Sequence, residues 1–241
     1  MKKIILALFF STLLIMARAQ DKIVYDANAE QRTVTAFHAI SVSQGIELMI
    51  QQGQTEALAI SAETKEYRDA VKTEVVNGEL KIYIEQKLQK WWQQLKKNGV
   101  KVKAYVSFKT LDRLHGSSGS RTTIEGSVTG ASLSVDLSSG ASLRGAIKTT
   151  SLDVDQSSGA SSALTGQVEQ LTVQTSSGAH FYGYDLTTNT GKADASSGGK
   201  IEISVGKEIA ARASSGGAIS YKGEGGLRDV STSSGGKVRR G

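Results

Sequence analysis

The tripeptide Ser-Ser-Gly occurs seven times in this chain, at a spacing that restricts what the chain can fold into. Its glycines are Gly119, Gly140, Gly159, Gly178, Gly198, Gly216 and Gly235, separated by 21, 19, 19, 20, 18 and 19 residues. A near-constant period marks a repeat architecture. The flanks repeat as well. Three residues before the first serine stand Val135, Val154, Val173, Ala193, Ala211 and Val230. Five before it stand Leu133, Leu152, Leu171 and Ile209. A two-residue spacing puts both positions on one face of a strand. A small residue follows each of the later six glycines: Ala141, Ala160, Ala179, Gly199, Gly217 and Gly236. Apolar residues come two further on, at Leu143, Phe181, Ile201, Ile219 and Val238. Each copy therefore reads as strand, tight corner, strand and turn, the later turns carrying Gly126, Gly145, Gly166, Gly183 and Gly223.

One such unit cannot bury its apolar face, whereas stacked copies can. The predicted fold is all-β: a single-stranded, right-handed β-helix or solenoid with rungs of about nineteen residues. Glycine suits a corner that needs positive φ. Serine beside it is expected to satisfy backbone groups or to bond the serine one rung away. The lack of proline fits a backbone that donates N–H groups rung after rung. Flexible Gly/Ser linkers lack apolar residues in fixed register, and these copies keep them.

Residues 1–19 read as a signal peptide. Lys2 and Lys3 precede the apolar run Ile4 to Ile15, and Ala17-Arg18-Ala19 is a small-x-small cleavage site. The run is short for a membrane span of roughly 20 residues, so no transmembrane segment is expected after cleavage. Residues 20–31 form an N-terminal extension, and 32–241 one solenoid domain. Within it, 32–110 hold irregular strands and 111–241 the regular repeats. Strand candidates are Arg32–Phe37, Ile46–Gln51, Ala57–Ala62, Val71–Val76, Leu80–Glu85 and Lys101–Phe108. Asn77-Gly78 signals a hairpin turn, and Glu63 to Asp69 one helical turn. Residues 87–99 (KLQKWWQQLKKNG) break the strand pattern and read as a protruding loop or short helix.

Loss of Lys2, Lys3 and Arg18 takes the formal charge from +6 to +3. The remaining bases are interspersed with acids, so no nucleic-acid partner is expected. The chain has no cysteine, which excludes disulfides, thiol nucleophiles and cysteine metal sites. Its three histidines, His38, His115 and His180, include no i, i+4 pair.

Five ordered features resemble one bacterial family. They are the opening Arg32-Thr33-Val34-Thr35-Ala36-Phe37-His38-Ala39-Ile40, the Gln44-Gly45-Ile46-Glu47 step, the Asn77-Gly78-Glu79-Leu80-Lys81-Ile82 hairpin, Tyr105-Val106-Ser107-Phe108-Lys109-Thr110-Leu111, and the serial corners. With the signal peptide, they resemble the family named putative auto-transporter adhesin, head GIN domain. The resemblance implies a β-helical fold, an envelope or extracellular location in Bacteroidetes-like bacteria, and a role in adhesion. Glu47 stands where the family's Gly-Ile-Asn signature has asparagine. The repeats run almost to Gly241, which leaves no room for a translocator barrel; an adhesin of this kind is not expected to transport itself.

No catalytic set, metal site or cofactor is expected. Seven identical corners argue against a catalytic serine, which is singular and needs a positioned base. The carboxylate candidates are Asp136, Asp155 and Asp194, two residues before their corners, where Gln174 and Arg212 stand in other rungs. Asp136 and Asp155 would be stacked neighbours, able to bind a cation or raise one another's pKa; the plainer reading is a solvent-facing column. Trp91 and Trp92 are candidate ligand-binding residues, because tryptophan stacks on sugars and anchors interfaces. Lys87, Lys90, Lys96 and Lys97 beside them suit anionic glycan or lipid. The alternative is that the tryptophans cap the solenoid. The expected function is a non-catalytic, secreted or envelope adhesin binding a surface glycan or protein. A carbohydrate-active enzyme using Asp136 and Asp155, and an assembly protein stacking end to end as a homo-oligomer, are the alternatives.

Overall fold

Every Ser-Ser-Gly corner is the same four-residue turn. The second serine has φ between 47° and 52° and the glycine φ between 71° and 78°. The next residue's N–H donates to the first serine's carbonyl at 2.8–3.1 Å. Two successive positive φ angles are those of a type I′ turn, and Asn77-Gly78 repeats them at 51° and 77°. The corner thus needs two left-handed residues, not the single one expected. Corners stack through backbone: the Gly140 N–H donates to the Ser158 carbonyl and Gly159 to Ser177, both at 3.0 Å. Among the described residues, the expected serine-to-serine side-chain bonds do not form.

The computed structural model describes residues 26–97 and 99–241, so the signal-peptide segment lies outside the described residues. In chain order the elements are β1 (Ala29–Arg32), β2 (Ala39–Val42), β3 (Glu47–Gln52), β4 (Ala57–Ala62), α1 (Lys65–Asp69), β5 (Val71–Val76), β6 (Glu79–Ile84), α2 (Gln89–Lys97), β7 (Val102–Phe108) and β8 (Arg113–Gly116). The long rung strands follow: β9 (Arg121–Leu137), β10 (Ser142–Gln156), β11 (Ser161–Thr175), β12 (His180–Ala195) and β13 (Lys200–Ala213). Last come β14 (Ala218–Lys222), β15 (Gly226–Thr232) and β16 (Lys237–Arg240).

Strands β9 to β13 pair in parallel, equivalent residues lying above one another apart from register shifts near the bend of the rung. Val135, Val154, Val173, Ala193 and Ala211 form one buried column, and Leu133, Leu152, Leu171 and Ile209 belong to a second. This is the β-solenoid the spacing predicts. The second turn of each rung is different from the expectation. Strand β10 runs unbroken through Gly145, with Leu143 and Ile147 inward on one parity and Leu152 and Val154 on the other. The rung bends within a continuous ladder.

An eighth corner opens the stack. Ser43-Gln44-Gly45-Ile46 has φ of 55° and 71° at Gln44 and Gly45. It joins β2 and β3, which pair in parallel with β8 and β9. On their other edges lie β6 and β7. Antiparallel strands then finish the sheet: β4 on β7, β1 on β4 and β5 on β6. Reversed strand direction ends the parallel stack there. The strand expected at Arg32–Phe37 is instead Ala29–Arg32, because β1 takes its partner from β4.

At the opposite end, Val230 sits in register with Ala211. It is nonetheless 44% exposed, and Leu227 48%, since no described strand covers β15. The inward position predicted for Val230 is therefore inward in register only. Among the described residues, no helix is long and apolar enough to cross a membrane.

One core residue is mismatched. Gln156 is 0% exposed, and neither its Oε1 nor its Nε2 has a protein hydrogen-bond partner. Leu137 holds the equivalent place one rung earlier. Burying an unpaired amide costs about 1–3 kcal/mol. Gln156→Leu is expected to raise the unfolding free energy by about 1 kcal/mol, read from the denaturation midpoint at unchanged slope.

Candidate binding surfaces

Helix α2 stands where β6 and β7 would otherwise be joined by a corner. Leu88, Trp91, Trp92 and Leu95 pack on the core. Trp92 is 2% exposed, and its indole N–H donates to the Gln44 carbonyl at 2.8 Å. One turn on, the Lys96 ammonium donates to the Gly45 carbonyl at 2.9 Å, and burial holds its pKa below the ordinary lysine value. From Ser139 onward the carbonyl equivalent to that of Gln44 takes the N–H of the preceding corner's glycine, as Ser139 does from Gly119. That ladder begins at Gly119; at the first corner Trp92 supplies the donor to the Gln44 carbonyl instead. Trp91 is half-buried, its ring 6.0 Å from that of Tyr67. Of the two readings of the tryptophan pair, this packing supports capping.

The other side of α2 is polar and exposed, with Lys90, Gln93, Gln94 and Lys97. Between the helix and the first corners runs a groove of about 590 Å³, lined chiefly by Gln44, Gln89, Trp92, Gln93, Lys96 and Lys97. It holds hydrogen-bonding groups and positive charge, and no carboxylate.

The carboxylate candidates form a column. His115, Asp136, Asp155, Gln174, Asp194, Arg212 and Ser231 occupy equivalent places in successive rungs. Asp136 and Asp155 are therefore adjacent, their Cα atoms about 4.8 Å apart. Asp155 and Asp194 line a shallow hollow of about 450 Å³ with Gln174 and Arg212, which Asp136 does not reach. Among the described residues, no three His, Asp or Glu side chains converge on a metal-sized site.

A third surface carries no sequence motif. After each corner, two columns face outward. One runs Glu47, Arg121, Ser142, Ser161 and His180; the other Met49, Thr123, Arg144, Ala163 and Tyr182. Small residues at Ser142, Ser161 and Ala163 leave a hollow of about 310 Å³, with Arg121 and Arg144 on one side and Tyr182 on the other. Tyr182 is 45% exposed and backed by the His180 ring, centroids 3.7 Å apart. Burial lowers the pKa of His180, against the opposing charge of Glu202. The register was legible in the repeat; the signal was one exposed aromatic among small and polar equivalents.

This parallel ladder with an antiparallel cap has known counterparts. Residues 36–225 match the family described as putative auto-transporter adhesin, head GIN domain. The chain belongs to this family. Three solved structures share the head GIN domain's architecture. A putative adhesin from Bacteroides fragilis aligns with a TM-score of 0.76 at 15% identity, over 88% of this chain and 95% of that one. A putative adhesin from Parabacteroides merdae gives 0.67 at 14% identity, over 88% and 95%. A putative lipid binding protein from Parabacteroides distasonis gives 0.65 at 17% identity, over 90% and 98%. At these identities the likeness is one of fold. No curated protein matches the sequence.

Proposed function

We propose that this head GIN domain is a non-catalytic adhesin, exported to the bacterial envelope or exterior, which holds a surface glycan or protein through α2 and the adjoining groove. The observation that carries this is the anchoring of α2. Trp92 and Lys96 fix it to the first corner, so the exposed Lys90, Gln93, Gln94 and Lys97 ride on a rigid base. Preordered side chains lose little entropy on binding. The seven later corners repeat one geometry, while α2 occurs once, and a specific contact needs such a unique feature. The family and the fold relatives named as adhesins support the reading. So does the amino-terminal signal pattern.

The test is adherence of the purified protein to bacterial and host cell surfaces. The combined variant Lys90→Ala, Gln93→Ala, Gln94→Ala and Lys97→Ala is expected to lose at least about tenfold in apparent affinity, with its melting temperature held. A tenfold loss corresponds to about 1.4 kcal/mol, well within the reach of four interface side chains. Unchanged adherence by the folded variant would remove α2 from the contact. Asp136→Asn with Asp155→Asn is expected to leave adherence unaltered. Turnover of a polysaccharide lost in that pair would favour the enzymatic reading instead.

A further inference from the structure

We infer that the hollow between Arg144 and Tyr182 binds one carboxylate-bearing sugar, a hexuronate unit of an acidic polysaccharide. Its position on the rung face, away from the α2 groove residues, makes this a separate site that stands without the α2 contact.

The shape comes from the register. Arg144, Ala163 and Tyr182 follow one another on neighbouring strands. Two strand spacings put the arginine and tyrosine backbones about 10 Å apart. Ala163 between them, with Ser142 and Ser161 beside it, leaves the middle low. The volume is at the lower end for small-molecule sites, which fits one ring of a longer chain rather than a whole oligosaccharide.

The chemistry comes from what each wall has left to offer. Arg144 donates its Nε–H to Thr123 Oγ1 at 3.0 Å, which orients the guanidinium. It lines the hollow and has no carboxylate partner among the described residues, so its remaining N–H groups are uncommitted. Guanidinium matches carboxylate in a two-bond fork. Arg121, by contrast, is already 3.5 Å from Glu47 Oε1. One uncompensated positive charge, with a carboxylate at the edge, selects a monoanion over a phosphate dianion. Opposite, Tyr182 lines the hollow and brings an aromatic ring for the C–H surface of a sugar and a hydroxyl at its tip. His180 stacked behind it holds the ring in place. Ser142 and Ser161 on the floor supply hydroxyls. An aromatic face, a fork for a carboxylate and small hydroxyls are together the requirements of a uronic acid.

The experiment is calorimetric titration with trimers of galacturonic, glucuronic and mannuronic acid, and with the methyl ester of each. At least one acid is expected to bind with a dissociation constant below 1 mM (about −4 kcal/mol), and its ester about tenfold more weakly. Arg144→Gln is expected to cost about tenfold, since hydrogen bonds to charged groups are the strong ones. Tyr182→Ala is expected to cost severalfold. Ala163→Phe, which fills the low middle while keeping Arg144 and Tyr182, is expected to abolish binding. All three positions are exposed, so thermal unfolding should hold within a few degrees. The α2 variant Lys97→Ala is expected to bind the trimer as the parent does. Absence of binding by all three acids overturns the assignment. So does equal binding of acid and ester, or full binding by Ala163→Phe. Loss of cell adherence with the trimer still bound would touch the α2 reading alone.

Discussion

Trp92→Ala is expected to lower the unfolding free energy by about 4 kcal/mol, against about 1 kcal/mol for Trp91→Ala. The two residues are neighbours in sequence and differ in what they touch. Trp92 is a large, fully buried side chain, and large aromatic truncations in cores cost about 3–5 kcal/mol. Its indole N–H also serves the Gln44 carbonyl, which otherwise has no corner above it to supply a donor. Trp92→Phe separates the two contributions. It keeps most of the volume, loses the hydrogen bond, and is expected to cost about 1–2 kcal/mol. For a chain of this size 1 kcal/mol moves the melting temperature by about 2–4 °C, so Trp92→Ala should melt roughly 8–16 °C lower. A rung touches only its neighbours, so damage should show first near the cap. Hydrogen exchange is expected to quicken in β2, β6 and β7 before β11 or β12. Equal losses for Trp91→Ala and Trp92→Ala would contradict the capping role.

The sequence carried the rungs well because their cause is local and repeated. A column such as Val135, Val154 and Val173 announces itself by spacing, and parallel register follows from the spacing alone. Other features were harder to read for definite reasons. The first corner, Ser43-Gln44-Gly45, has the turn geometry without the Ser-Ser-Gly spelling, because Gln44 also accepts the positive φ. It is divided from the second corner by the whole capping excursion, so no period reveals it. Of the loop and the short helix that residues 87–99 allow, the helix forms, and its spacing is in the sequence: Leu88, Trp91, Trp92 and Leu95 stand at i, i+3, i+4 and i+7. The candidate surfaces were least legible. Asp136 and Asp155 are the stacked neighbours that the spacing predicts, yet adjacency across two strands does not make a cleft. The hollow at Arg144 and Tyr182 depends on Ala163 being small, and a small side chain among small and polar equivalents makes no motif.

Gly166→Ala is expected to cost about 3 kcal/mol, while Gly159→Ala, in the corner motif itself, costs about 1 kcal/mol. Repetition makes the corner glycine look indispensable. Geometry ranks the two the other way. Gly159 has φ of 71°, and a Cβ built on it meets nothing within 4 Å. Its neighbour Ser158 already carries a Cβ at φ of 52°. The corner tip is open to solvent, so a methyl group there adds backbone strain and no collision. Gly166 lies inside β11 with φ of 109°. A Cβ there would stand 2.3 Å from the Ile147 carbonyl oxygen. That oxygen belongs to the strand paired with Gly166, so it cannot withdraw without opening the ladder. Backbone strain of about 1–2 kcal/mol and a steric cost of about 1–3 kcal/mol then act together. The expected fall in melting temperature is roughly 6–12 °C for Gly166→Ala and 2–4 °C for Gly159→Ala. Equilibrium denaturation of the two variants beside the parent measures both. A Gly159→Ala protein less stable than Gly166→Ala would place the strictest backbone demand at the corner rather than at the bend within the rung.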